Sequence, residues 1–158
     1  LGETLKLYAS GLEKMRHAIC NVPADKKEDA VREAGVAEFF YHTLRTMRNT
    51  KHWWVLNMRL EVEPDFAKAN ALLDELDDIA ADEYCNAEET LPLTDADSRL
   101  GWEPSMEYLA DSEHIRWKLR QVANLRNVIL PKYRKSVCRY PKMNHDQTEM
   151  KKEDSSRG

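Results

Sequence analysis

Between Pro23 and Pro64 the chain runs for forty residues without a proline and with a single glycine, Gly35. Helices are interrupted where an amide is missing or the backbone is unusually free, and neither occurs here except at Gly35. The stretch therefore reads as one long helix from about Asp25 to Leu60. Asp25 followed by Glu28 has the spacing that satisfies the free amides of a helix start. Ala37, Phe40, Leu44, Met47, Trp54 and Met58 recur at steps of three, four and seven, which makes them the expected buried row. Beside them runs a second row, Tyr41, Arg45, Arg48, His52 and Arg59. It is either a solvated, salt-bridged face or a surface for an acidic partner, since arginine pairs bidentately with carboxylates. Asn49-Thr50 is the place where this helix would kink or split. Of the adjacent Trp53 and Trp54, one belongs in the core and the other over a neighbouring helix or domain.

The segments on either side share this character. Leu5, Leu12, Met15 and Ile19, with Tyr8, sit at helical spacing in a first amphipathic helix that Asn21-Val22-Pro23 ends. Pro64 suits the first turn of a third helix. Its seam is Phe66, Ala69, Leu73, Leu76, Ala80 and Ala87, broadened by Leu72, Ile79 and Tyr84, through to about Thr90. Asp111-Ser112 caps a last long helix carrying Ile115, Leu119, Val122, Leu125 and Ile129. Residues 65–90 hold nine acids against Lys68, a balance of −8, whereas residues 113–139 hold eight bases against one acid, a balance of +7. Two consecutive helices of opposite charge should lie antiparallel with those charges facing or flanking each other. Pro131 and Pro141 are expected to break the last helix, and residues 144–158 form a polar tail expected to be disordered. The expected fold is all-α: an up-and-down bundle of about four long helices in residues 1–143, with an ordered loop before the last one.

Charge and cysteine usage exclude several functions. A net charge of −4 provides no field to hold a phosphate backbone, so no nucleic-acid partner is expected. No apolar run approaches the roughly 18 residues of a membrane span. Cys20, Cys85 and Cys138 are odd in number and far apart, which argues against a disulfide framework and slightly favours a cytoplasmic address. The five histidines show neither H-E-x-x-H nor an i, i+4 pair, so no metal and no cofactor is expected. The chain opens Leu1-Gly2 without an initiator methionine, as a piece of a longer protein would.

The least generic stretch is residues 91–106, with two prolines, Gly101, two aspartates and Trp102. Asp95-x-Asp97 lacks an EF-hand ligand and glycine at the required positions, occupied by Arg99 and Leu100. Asp95, Asp97 and Glu103 could form a glycosidase acid pair only across a cleft, which a loop between two helices provides poorly. The plainer reading has Asp97 and Ser98 closing the turn, Arg99 clamped by acids of the preceding helix, and Trp102 plugging the bundle end. Gly101 supplies a positive φ.

Three runs carry a family resemblance: Asn86-Ala87-Glu88 with Leu91-Pro92-Leu93, the segment Asp97-Ser98-Arg99-Leu100-Gly101-Trp102-Glu103-Pro104-Ser105-Met106, and His114-Ile115-x-Trp117-Lys118. Together with Thr43-Leu44-Arg45-Thr46-Met47-x-Asn49-x-Lys51-x-Trp53-Trp54, they resemble the helical C-terminal region of large bacterial proteins related to α-glucuronidases, over residues 5–133. The resemblance implies a carbohydrate-active parent with an upstream glycoside-hydrolase-like barrel that holds the catalytic acids. This chain would then be a non-catalytic domain that packs on the barrel or mediates homodimerisation. Alternatively, Arg45, Arg48, His52, Asp97, Arg99, Trp102 and Glu103 would contribute to an acidic-sugar site of the parent, with carbohydrate as a partner through it. A free-standing helical adaptor is the third reading.

Overall fold

A computed structural model describes residues 2–103 and 108–139, with backbone alone at residues 102, 103, 108, 109, 138 and 139. The tail at 144–158, Pro104, Pro141 and the Trp102 and Glu103 side chains lie outside what is described. The fold is all-α, as expected. Helix α1 spans Gly2–Ile19, α2 Lys27–Val62 and α3 Phe66–Ala96, and a final column runs through α4 (Ser112–Asn124), a π-turn (Leu125–Ile129) and α5 (Leu130–Arg139). Short connections make successive columns antiparallel, and each packs chiefly on its neighbour in sequence: α1 on α2, α2 on α3, and α4 with α5 on α3. Between α3 and α4, strands β1 (Trp102–Glu103) and β2 (Tyr108–Leu109) form a two-residue antiparallel ladder. No helix among the described residues is long and apolar enough to cross a membrane.

Local chemistry sets the helix ends. Asp111 caps α4 through a 3.0 Å bond accepted from the His114 amide, and Asp65 caps α3 by accepting from the Lys68 amide at 2.9 Å. Pro64 therefore lies just before the cap rather than in the first turn. Asp25 makes no side-chain cap. A 3₁₀ turn, Ala24–Lys26, runs directly into α2, and its Ala24 carbonyl accepts from the Lys27 amide instead. Asn49-Thr50 does not split α2, because Asn49 is buried and directs its amide to α3.

Two helices extend beyond their expected ends. Helix α3 continues to Ala96 with Pro92 inside it. Pro92 and Glu88, four residues earlier, are both exposed, so the carbonyl that the proline cannot satisfy is left to water. In the last column Pro131 does not break the helix. The π-turn directly before it closes with the Leu130 amide on the Leu125 carbonyl, and this wider turn accommodates the ring. It also inserts one residue, which rotates everything after it by about 100°. Leu130 is consequently buried, while Ile129, the expected core residue, is 49% exposed.

The largest correction concerns α2. Four of its six expected core residues are exposed, Phe40 at 51%, Met47 at 45%, Trp54 at 64% and Met58 at 46%, while Ala37 and Leu44 are half-buried. The buried residues are Ala34, His42, Asn49, Leu56 and Leu60, on the opposite side of the helix. Periodicity locates an apolar stripe but does not say which side is covered, and α2 has packing residues on both. Leu56 and Leu60 meet Ala69, Leu73, Leu76 and Leu130 in the main core, with Trp53 and Ile79 packed against it. Trp53 is the half-buried member of the tryptophan pair, and Trp54 faces outward.

Charges along α3 meet the last column in antiparallel order. Asp95 pairs with Arg116 at 2.8 Å, Glu83 with Lys118, Asp77 with Arg126 at 2.8 Å and Asp74 with Arg134 at 2.6 Å. Most of these side chains are a third or more exposed, so each pair contributes about 0–1 kcal/mol. Leu73 and Leu76 are almost wholly buried. Leu76→Ala should cost about 2–5 kcal/mol, whereas Arg134→Ala or added salt should shift the midpoint only slightly. Urea denaturation of the two variants, with and without 1 M salt (~1 M is enough to reduce the screening length to about 3 Å), tests this ranking.

Candidate functional site

Among the described residues, the most connected polar group lies where α2 crosses the middle of α3. Asp82, Glu83, Asn86 and Glu89 recur at three- and four-residue steps, which puts them on one face of α3. On α2, His42, Arg45, Thr46, Arg48 and Asn49 answer them. The Arg45 guanidinium donates to both Asp82 carboxylate oxygens, at 2.6 and 3.2 Å, and to Glu89 at 2.7 Å. Arg48 and Asn49 each donate to Asp82 Oδ2 at 2.8 Å. Asn49 also donates to Glu83, and so does Thr46, at 2.8 and 2.7 Å. Lys118 of α4 completes the set by pairing with Glu83.

Asn86 is 1% exposed and its amide is fully directed. Its Nδ2 donates to the His42 carbonyl at 3.0 Å and to Thr46 Oγ1 at 2.9 Å. This orientation leaves Oδ1 as the acceptor facing His42 Nδ1, 2.8 Å away, so that ring nitrogen carries the proton. Among the described residues no buried side-chain polar atom is left unpartnered.

The electrostatics match this arrangement. Partial burial pushes the Asp82 carboxyl up, but hydrogen bonds from Arg45 and Asn49 and the charges of Arg45 and Arg48 outweigh it and hold the group below the ordinary carboxylate range. Arg45 is raised, first by its hydrogen bond to Asp82.

The expected site residues separate into different places. Arg45 and Arg48 are in the α2–α3 network, and His52, one turn beyond Arg48, is exposed. Asp97 and Arg99 are in the loop. Asp97 accepts from the Arg99 amide at 3.0 Å, which closes the turn as expected. The Arg99 side chain folds onto Asp97 itself, at 2.5 and 2.9 Å, rather than onto the preceding helix. Those bonds draw the Asp97 carboxyl down to about 2, and Arg32 adds a smaller share. Arg32 and Arg45 are thirteen residues apart on α2, roughly 20 Å along the axis. The loop pair and the α2–α3 network are therefore not parts of one pocket. Gly101 has φ +81°, and a Cβ there would meet the Ala110 carbonyl oxygen at 2.2 Å, so the positive-φ expectation holds. Trp102 and Glu103 contribute backbone to β1.

Besides a small, mainly apolar cleft of about 150 Å³ beside Asn49 and Glu83, two clefts border the network. One, of about 320 Å³ between α2 and α4, is mainly apolar and is lined by Phe39, Thr43, Thr90 and Trp117, with His114 and Lys118 at its edge. His114 bonds Asp111 at 2.8 Å and Lys118 pairs with Glu83. The other, between α1 and α2, places Arg16 and Arg45 among Glu13, Glu38 and Glu89. It holds two cations against three acids, the reverse of what an acidic ligand requires. Among the described residues no group of three or more His, Cys, Asp or Glu could hold a metal ion.

Sequence reading missed Asp82, Glu83, Asn86, His42 and Lys118 as a unit. It assigned the acids of α3 to the last helix alone, although their three- and four-residue spacing matches that of Arg45, Arg48 and Asn49. Compared with known proteins, the chain matches no family model, no curated protein and no solved structure.

The network sets an expectation for stability. Asn86→Ala should cost about 1–3 kcal/mol by leaving His42 Nδ1–H unpaired. Because the folded pKa of Asp82 is depressed, its contribution is present above the unfolded value of about 3.9 and is lost as pH falls through the folded value. Urea midpoints between pH 7 and pH 2 should show that decline, and Asp82→Asn should flatten it.

Proposed function

We propose that this chain is a non-catalytic helical interaction domain of a carbohydrate-active, glycosidase-like bacterial protein, packing on an upstream catalytic barrel or bringing copies together. The carbohydrate part rests on the resemblance centred on residues 97–106. The interaction part is carried by one observation: α2 turns a row of half-exposed apolar side chains, from Phe40 to Met58, away from its own bundle. Apolar surface on that scale on one helix is characteristic of a contact awaiting its partner.

The other reading, in which Arg45, Arg48, His52 and the loop hold an acidic sugar for the parent, has less support. Arg45 and Arg48 already pair with Asp82 and Glu89, and Arg99 pairs with Asp97. A carboxylate ligand would have to displace those acids. The cleft between α2 and α4 is lined by no carboxylate among the described residues, so it offers no acid pair for glycoside hydrolysis.

The purified chain should not turn over aryl glycosides or glucurono-oligosaccharides. Hydrolysis above the buffer blank that disappears in Asp97→Asn would overturn the proposal.

A further inference from the structure

Viewed along α2, Val36, Phe40, Met47, Trp54 and Met58 fall within about 40° of one another, and all five are partly or largely exposed. Val55 and Val62 widen the row on one side. Helix α1 touches the row at one end, where the Tyr8 ring lies 5.6 Å from that of Phe40; elsewhere neighbouring helices only border it, Leu7 of α1 edging a groove over Ala37 and Trp117 of α4 the cleft over Phe39 and Thr43. Both Leu7 and Trp117 are themselves exposed.

The row has a property that a contact with an unrelated surface would not require. It is symmetric about Met47. Phe40 and Trp54 stand seven residues to either side, and Val36 and Met58 eleven. A two-fold axis through Met47 would thus seat Phe40 of one helix on Trp54 of its copy, Val36 on Met58, and Met47 on Met47. Such isologous, self-complementary surfaces are what two-fold dimers are built from. Aromatic pairs add specific attraction to the area they bury.

Size supports the same occupant. From Val36 to Met58 the stripe is about 33 Å long, and its side chains expose on the order of 600 Å². A standard interface takes about 800 Å² from each partner, so the stripe with the adjoining Leu7 and Trp117 supplies most of one side.

We infer that the stripe of α2 binds a second copy of this chain, the two α2 helices running antiparallel across an axis at Met47. This deepens the reading of the chain as an interaction domain and rests on it. The partner's apolar surface replaces water over Phe40, Met47 and Trp54, and the internal α2–α3 network is untouched.

The test uses the 158-residue chain. Light scattering after size exclusion and sedimentation equilibrium should give twice the 18.4 kDa chain mass. Phe40→Glu with Trp54→Glu should return it to the single-chain mass with unchanged far-UV circular dichroism, because both side chains are already half or more exposed in the chain itself. For register, Cys20, Cys85 and Cys138 are replaced by Ser and single cysteines are introduced. Met47→Cys should cross-link to itself on oxidation. Phe40→Cys should cross-link only when mixed with Trp54→Cys, since in this register two copies of residue 40 lie roughly 20 Å apart. A single-chain mass at all concentrations up to about 10 Kd of a micromolar complex would overturn the second copy as occupant and leave the interaction-domain reading, with an upstream domain as the partner. A dimer unaffected by the glutamates, or one cross-linking 40 to 40, would overturn the surface or the register. Glycoside turnover would instead defeat the reading on which the inference rests.

Discussion

The α2–α3 pairing depends on the Asp82 carboxylate. It is the acceptor common to Arg45, Arg48 and Asn49, three buried or half-buried donors within five residues of α2 that would each lose a partner without it. Burying such groups unpaired is costly, and removing one member of a set leaves the others orphaned. The geometry consequently fixes the register of the two longest helices at this level. One turn toward the next connection, Asn86 fixes it again through His42 and Thr46. Apolar packing at the other end, Leu56 and Leu60 against Leu73 and Leu76, contributes more energy, but leucines slide against leucines with little penalty. Hydrogen-bonded amides and guanidinium groups do not. Here the network has the clearest claim to specifying alignment, and the leucine end to supplying stability.

This division of labour explains which parts of the fold were legible from residues alone. Helix existence was legible because it depends on local chemistry: Asp111 caps α4 and Asn21-Val22-Pro23 ends α1. The opposed charges of α3 and the last column predicted their antiparallel pairing, because charge on neighbouring long helices has few other places to go. Helix ends were less legible where tertiary contacts prolong a helix through proline. At Pro92 the unsatisfied carbonyl is on the wet side, and at Pro131 a π-turn takes up the misfit. Neither circumstance is written in the local composition.

The side of α2 that faces the bundle was illegible for a different reason. Its residues form two coherent sets, an apolar row and a row centred on His42, Asn49, Leu56 and Leu60, and hydropathy favours the apolar one. The correct choice needed the complementary spacing of Asp82, Glu83, Asn86 and Glu89 on α3. Those acids were counted as net charge and not as partners for particular donors. For the same reason Arg45 and Arg48 looked available for an external acid when the chain supplies the acids itself.

An α2 with packing residues on two opposite sides changes how the whole domain is understood. A helix covered on one side only would carry polar residues on the other, and α1 approximates that pattern, with Leu5 and Leu12 buried and most of its charged residues in water. In α2 the side chains of His42, Arg45, Arg48 and Asn49 lie inward, bonded to α3, beside the buried Leu56 and Leu60, while Phe40, Met47, Trp54 and Met58 lie outward. The inward set cannot be exchanged for the outward one by rotating the helix, because half a turn would strip Asp82, Glu83 and Asn86 of their donors and set Met47 against carboxylates. The outward row is therefore not a misplaced core. It is surface that the fold holds rigidly in place along one helix axis, while the bundle's own stability comes from the opposite side. A domain built this way remains folded whether or not its apolar row is covered, which is what a reversible contact between preformed parts requires.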